Sequence, residues 1–408
     1  MIEKLLGGYW VKKTFLLGFG FLSISIAWSL YNGYVPLFLE EFIRDTAIIG
    51  FLMTIDNYFA LFLQPYIGNR SDRTETRFGK RMPYLMIGMP LAAIFLALIP
   101  LHVNLMTLII FMVAMNLSMA IFRSPTIALM PDITPLHKQS SANGIINFMG
   151  GIGALIAFVI GAYVYNFGQY LPFFGASIIM LISLFILLKF INEKRDAIEY
   201  TKHQKQKIDY KKELNKPTIF LLTAIFFWFV AIQGMEALFT IYATNRLGMS
   251  DSLANFSLAF FALTFLLFAL PSGWLGTKFG KKFMIIIGVI GQILIFFTLV
   301  FIENEIIVWI LLLLGGIFWA CININSYPFV ISIGSEDAIG TRTGLYYLVS
   351  SLAAISGPPL FGLIIQWTDY KSLFIASTIS MVIALLFVFQ IKHKKELEKS
   401  VDKMNIKI

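Results

Sequence analysis

The sequence predicts an all-α integral membrane protein with twelve transmembrane helices, arranged as two similar six-helix bundles. Three observations carry this reading. Apolar residues make up 58% of the 408-residue chain and charged residues only 13%, with a mean hydropathy of +0.78, which a soluble globular domain does not show. Twelve apolar runs are each long enough to cross roughly 30 Å of hydrocarbon as a helix. A basic loop pinched between two of those runs, QPYIGNRSDRTETRFGKRMPY at 64–84, returns as a weaker copy, GWLGTKFGKK, at 273–282.

The runs lie near 14–39, 46–67, 83–101, 106–130, 141–165, 171–191, 217–243, 252–276, 283–302, 306–333, 342–366 and 371–391. They are too long and too uniformly apolar for the alternating segments of about ten residues that build a lipid-facing barrel, so helices are the expected spanning form. The first run exceeds the short apolar core of a signal peptide and is followed by eleven more, so it is read as helix one. Residues 192–216 form the one long hydrophilic segment and divide six runs from six. The expected organisation is therefore an N-terminal bundle at 1–191, a solvated linker at 192–216, a C-terminal bundle at 217–391 and a tail at 392–408.

Net charge is +9, but its placement argues against a nucleic-acid partner. All but four of the 32 Lys and Arg residues fall on the termini and alternating loops of one side; the exceptions are Arg44, Arg246 and Lys371 on the opposite loops and Arg123 inside a run. By the positive-inside tendency both termini face the cytoplasm, as expected of a multi-pass protein of the cell membrane. The lone Cys321 gives neither a disulfide framework nor metal-ligand spacing. No loop carries a phosphate-cradling GxxxxGK[ST] motif or a nucleophile–base pair, so ATP-driven transport and enzymatic activity find no support. No cofactor is expected beyond a coupling ion.

Matches at an offset of about 200 residues extend the repeat. Asn32-Gly33 faces Gln233-Gly234, Pro125 faces Pro328, Asp132 lies near the equivalent of Glu336, and Asn143-Gly144 faces Thr343-Gly344. Internal repeats of this kind mark transporters whose halves rock around a central site.

The charged hinge resembles the signature between helices two and three of the major facilitator superfamily, G-x-L-A-D-R-x-G-R-R, supplied here by Gly68, Ser71, Asp72, Arg73, Gly79, Lys80 and Arg81 with Thr74 to Arg77 as extra length. With Gln64-Pro65 before it and Pro83-Tyr84 after it, the lengthened form is similar to the plant sucrose/proton symporters and the wider glycoside-pentoside-hexuronide:cation symporters. The resemblance implies the major facilitator fold, with helices one, four, seven and ten lining a central cavity. Carboxylate–guanidinium bonds are strong and directional, so Gly68, Asp72, Arg73, Arg77, Gly79, Arg81, Asp132, Glu336 and Arg342 are expected to form a cytoplasmic latch. Thr277 replaces the carboxylate in the second copy.

Charges within hydrocarbon cost about 2.5–3.5 kcal/mol on insertion scales and so face a cavity or a partner. Three lie well inside runs: Asp56, Arg123 and Glu236. Low dielectric disfavours the charged form of a carboxylate, which suits a group that takes up and releases a proton, and Glu236 or Asp56 is the expected proton carrier. Counting turns places Arg123 roughly 10 Å deeper than Asp56, which argues against a direct pair. Sugar recognition needs flat apolar surfaces and neutral donors and acceptors; Tyr31, Asn32, Asn116, Gln233, Asn323, Asn325 and Tyr346 are candidates, with Arg123 as a charged donor. Asn323 and Asn325 sit on opposite sides of their helix, so one of the two faces a cavity. The sequence departs from the sucrose symporters at Asn116 and Ile127, which stand where those carry Asp and Arg. Ala60 and Gln64 stand where melibiose-type carriers have paired acids.

The expected function is uptake of a neutral sugar, a disaccharide or glucoside, by proton symport through alternating access, performed by a monomer. A drug/proton antiporter and a non-transporting sugar sensor are the alternatives.

Overall fold

The computed structural model describes residues 8–134, 139–196, 215–333 and 339–391. Among these residues, twelve helices are long and apolar enough to cross a membrane, and each overlaps one predicted run. They are α1 (Gly8–Glu40), α2 (Thr46–Leu52 and Ile55–Asp72), α3 (Met82–Leu98), α4 (Leu105–Ile133), α5 (Gln139–Leu155, continuing through a π turn Ile156–Gly161 to Ala162–Tyr165) and α6 (Leu171–Phe190). After them come α7 (Lys216–Leu247), α8 (Asp251–Phe279), α9 (Lys281–Leu299), α10 (Glu305–Ile333), α11 (Ile339–Trp367) and α12 (Ser372–Gln390). Most of the linker and all of the tail beyond Ile391 lie outside the described residues, as does Glu336.

Helix ends follow local chemistry. Asn104 opens α4 with a capping box, its side chain accepting from Thr107 N at 2.9 Å while Thr107 Oγ1 accepts from Asn104 N. Asn215 caps α7 in the same way, accepting from Thr218 N at 3.0 Å, with Pro217 in the first turn. In α2 the helix breaks at Met53 and Thr54, where the Thr54 hydroxyl donates to Phe51 O at 2.7 Å. A side-chain hydroxyl that takes a backbone carbonyl competes with the helical ladder.

The chain divides into two compact units. Unit 1 comprises Met1–Asp45, Phe51–His203 and Met249–Ala259; unit 2 comprises Thr46–Gly50, Gln204–Gly248 and Phe260–Ile408. The division follows the linker except that the first turns of α2 and α8 change units. Within unit 1, α1 packs on α5 and α6, α3 on α4 and α6, and α2 on α4; within unit 2, α7 packs on α11 and α12, and α9 on α10 and α12. α8 meets α10 where the Ser272 hydroxyl donates to Ala320 O at 3.0 Å. These pairings repeat with an offset of six helices, the architecture expected from the internal repeat.

A close helix crossing repeats too. A Cβ at Gly88 on α3 would stand 2.7 Å from Phe122 Cβ and 3.1 Å from Ser118 O on α4, and one at Gly288 on α9 would stand 2.7 Å from both Ile322 Cγ1 and Phe318 O on α10. All three positions are related by the same 200-residue offset. Small residues let membrane helices approach closely enough for dispersion contacts to hold them. Replacing Gly88 by Val is therefore expected to cost about 1–3 kcal/mol by overpacking, measured as a lower unfolding midpoint in detergent; Gly144→Val, where no atom lies within 4 Å of the added Cβ, should leave it unchanged.

Candidate functional site

α1 and α7 are the most enclosed spans, with 61% of their most apolar stretch buried against at most 50% elsewhere. Part of what stays open on each forms one stripe. On α1 it is Phe21, Ser25, Trp28 and Asn32; on α7 it is Phe226, Phe229, Gln233 and Glu236. Steps of three and four residues keep each set on a single helical face. A polar stripe on an otherwise buried membrane helix has the composition of a wall facing water rather than lipid.

In unit 1 the α1 stripe meets α4 and α2. The Trp28 and Tyr31 rings pack edge to face at 5.5 Å, and the Arg123 guanidinium lies over the Trp28 ring at 5.9 Å. Asn116 is buried and donates to the Tyr31 hydroxyl at 3.0 Å, so this amide and this phenol hold α1 to α4. Asp56 accepts from the Asn57 amide at 3.1 Å. α2, which carries Asp56, packs side by side with α4, which carries Arg123.

In unit 2 the Phe229 ring contacts Trp319 at 5.6 Å and Tyr346 at 6.2 Å, and Tyr346 contacts Tyr327 and Tyr347 at 5.4 Å each. Hydroxyls tie this cluster together: Tyr346 with Ser326 at 3.1 Å and Tyr327 with Thr343 at 3.0 Å. The two amides of α10 separate as their spacing required. Asn325 is buried, and its amide donates to Ser272 Oγ at 3.1 Å and Cys321 O at 3.0 Å, joining α10 to α8. Asn323 is half-buried. Replacing Asn325 by Ala should therefore destabilise the protein by about 1–3 kcal/mol for the polar groups left unsatisfied, measured as a lower unfolding midpoint, whereas Asn323→Ala should leave it unchanged.

The charged hinge is built around one arginine. Arg81, 5% exposed, donates from Nε to Asp132 at 3.0 Å, from Nη1 to Gly68 O at 3.3 Å, and to Ser71 and Asp72. It thereby ties the ends of α2, α3 and α4 together within unit 1. Arg73 and Arg77 are not drawn into this cluster: Arg73 is exposed and Arg77 stacks over Phe78 at 4.6 Å. In the second copy, Lys281 takes the place of Arg81 and donates to Pro328 O at 3.2 Å, while Lys282 donates to Ile391 O at 2.7 Å. Lysines there hold backbone carbonyls where the arginine of the first copy holds carboxylates. Arg342 is fully buried and donates to Ile331 O at 2.5 Å.

Two structural residues went unread in the linker, which the sequence presents as a solvated charge run. Glu193 is 1% exposed, and its carboxylate accepts from the backbone N–H groups of Lys80 at 2.8 Å, Arg81 at 2.8 Å and Met82 at 3.1 Å. An anion at a helix N-terminus satisfies orphan donors and complements the dipole. Gly79 makes room for it: its φ is +113°, and any Cβ there would collide with the Glu193 side chain. Asp196 follows, accepting from Lys13 of α1 at 2.5 Å and Arg195 at 2.9 Å. The alternation of Glu, Lys, Arg and Asp in 193–196 resembles any exposed turn; only the three open N–H groups at the start of α3 signal a missing acceptor.

Burial pushes the Asp196 carboxyl up, but hydrogen bonds from Arg195 and Lys13 outweigh it and hold the group below its ordinary value of 3.8. A depressed folded-state value contributes stability that is full above the unfolded value and is lost as pH falls through the folded one. Unfolding midpoints should therefore drop as pH falls below about 4, and Asp196→Asn should flatten part of that acid limb.

Comparison with known proteins follows the same outline. The chain is 24% identical over 343 residues to the tetracycline resistance protein, class B, of Escherichia coli, covering 81% of this chain and 82% of that one. It is 23% identical over 376 residues to multidrug resistance protein 2 of Bacillus subtilis strain 168, covering 88% and 90%. A bacterial homologue of the human lysosomal transporter Spinster, solved in an inward-facing and occupied conformation, shares the fold with a TM-score of 0.75 at 15% identity over 93% of this chain and 96% of that one. The family description Major Facilitator Superfamily matches residues 17–260 and 238–404. Twelve spans in repeated packing order, the Arg81 hinge and this match together make the chain a member of the Major Facilitator Superfamily, a family of membrane transporters.

Proposed function

We propose that this transporter takes up a neutral sugar, a disaccharide or glucoside, together with protons, by alternating access across the cell membrane with both termini in the cytoplasm. The observation that carries the reading is the α7 stripe. An otherwise buried span keeps an amide, Gln233, and a carboxylate, Glu236, open on one face within a single turn. Asn32 on α1 and Asn323 on α10 are also half-buried, which gives three neutral amides for hydroxyls. Trp28 supplies an apolar ring face with the Arg123 charge over it, an arrangement suited to sugar rings. The hinge resemblance to sugar symporters points the same way. Asn116, Asn325 and Tyr346 support these groups through their packing bonds, and Glu236 or Asp56 is the proton carrier.

The test is uptake of labelled disaccharides into proteoliposomes with and without an inward proton gradient. Gradient-stimulated accumulation of at least one sugar is the expected result; failure across the panel overturns the reading. A second reading, efflux of drugs in exchange for protons, draws on the tetracycline and multidrug resistance proteins that match most of the chain and on the aromatic cluster around Tyr346. Outward movement of tetracycline or a cationic dye, with no sugar uptake, would establish it. A sensor that binds without transporting would show no counterflow.

A further inference from the structure

Arg81 engages both Asp72 and Asp132, so the remaining arginines of the hinge are not needed for that cluster. Arg73 and Arg77 are exposed, and Arg70 donates to the Tyr66 hydroxyl at 3.2 Å. The loop that presents them has a defined shape: the Thr76 hydroxyl donates to Gly79 O at 2.8 Å and accepts from Phe78 N at 3.2 Å, and the Thr74 hydroxyl donates to Arg70 O at 3.0 Å. Glu193 holds its far end at the start of α3. Two acidic side chains share the loop, Asp72 beside Arg81 and the exposed Glu75, and the segment remains net positive.

The approach from the hydrocarbon is apolar. Phe62, Tyr66 and Arg70 follow one another at four-residue steps on α2, with Phe62 69% and Tyr66 57% exposed, and Phe78 beneath Arg77 is 41% exposed. The spans on either side end at Asp72 and begin at Met82, so the guanidinium groups stand at the depth of lipid headgroups. The extra residues Thr74 to Arg77, which lengthen the hinge beyond the usual superfamily form, supply Arg77 and its platform.

We propose that the α2–α3 loop is a binding site for the anionic headgroup of a phospholipid, with Arg70, Arg73 and Arg77 donating to its phosphate and with Phe62, Tyr66 and Phe78 against its acyl chains. Guanidinium groups match phosphate oxygens in geometry as well as charge, and basic clusters beside a span attract anionic lipid. The site does not depend on the identity of the cargo.

The experiment titrates the full-length protein in detergent with phosphatidylglycerol or phosphatidylcholine and counts bound lipid by native mass spectrometry. The wild type should prefer phosphatidylglycerol, and the exposed double variant Arg73→Gln/Arg77→Gln should bind it about tenfold more weakly, with an unchanged unfolding midpoint in lipid-free detergent. Arg73→Lys/Arg77→Lys should recover most of the preference. Retention of the full preference by the double Gln variant overturns the proposal. So does displacement of phosphatidylglycerol by excess inorganic phosphate, which would mark a site for the free anion.

Discussion

Replacing Glu236 by Gln is expected to abolish proton-driven accumulation while leaving sugar exchange intact. The carboxylate stands on the open stripe of α7, one turn from Gln233. A proton is the simplest counter-charge for a carboxylate on the open face of a membrane span. Gln keeps the shape and the hydrogen-bonding capacity of the protonated acid but has no proton to release. A gradient of one pH unit can drive about a tenfold accumulation for each proton carried, and the variant should lose all of it. Counterflow needs only binding and alternation, and should persist. Comparing accumulation with counterflow in the same vesicles separates the two steps. Accumulation equal to wild type would remove Glu236 from its assigned role and shift attention to Asp56.

The second large effect concerns the hinge. Arg81→Met would leave Asp132 without this donor, while Gly68 O keeps the Ser71 hydroxyl, and Glu193→Gln would replace a carboxylate that receives three backbone N–H groups with an amide that can serve them only in part. Hydrogen bonds to charged groups are worth about 1.5–3 kcal/mol each, but Asp72 is more than half exposed and can turn to water. About 2–3 kcal/mol per variant is therefore the expected loss. Because the Arg81 backbone N–H is itself held by Glu193, the two changes should not add. The double variant should fall short of the sum by about 0.5–3 kcal/mol, measured by unfolding in detergent. Strict additivity would mean that the linker turn and the hinge are independent.

Much of this architecture was legible because the bilayer imposes a coarse rule. Long apolar runs must become helices, and all twelve did, including α2 and α4 with Pro65 and Pro125 inside them. The hinge was legible because charge is rare in such a sequence and its repeat is visible. What escaped depends on packing direction. Nothing local tells Asn323 from Asn325; their neighbours on α8 decide which is buried. Asn116 reads as a cavity amide, yet the proximity of α1 to α4 gives its N–H group to Tyr31. Glu193 reads as solvated until the start of α3 is placed beside it. The break at Met53 and Thr54 has no Gly or Pro to announce it, and the π turn at Ile156–Gly161 lies in an unremarkable apolar run.

The central claim is that the stripe of α1 and the stripe of α7 each face water rather than lipid and meet the transported cargo. Single cysteines in a Cys321→Ser background, placed by Ser25→Cys, Asn32→Cys and Gln233→Cys, test it most directly. All three should react with a membrane-impermeant thiol reagent and be protected by the transported substrate, while Ile290→Cys, on an exposed apolar face of α9, should stay unreactive. Silence at 25, 32 and 233 under conditions where a loop cysteine labels would contradict the account.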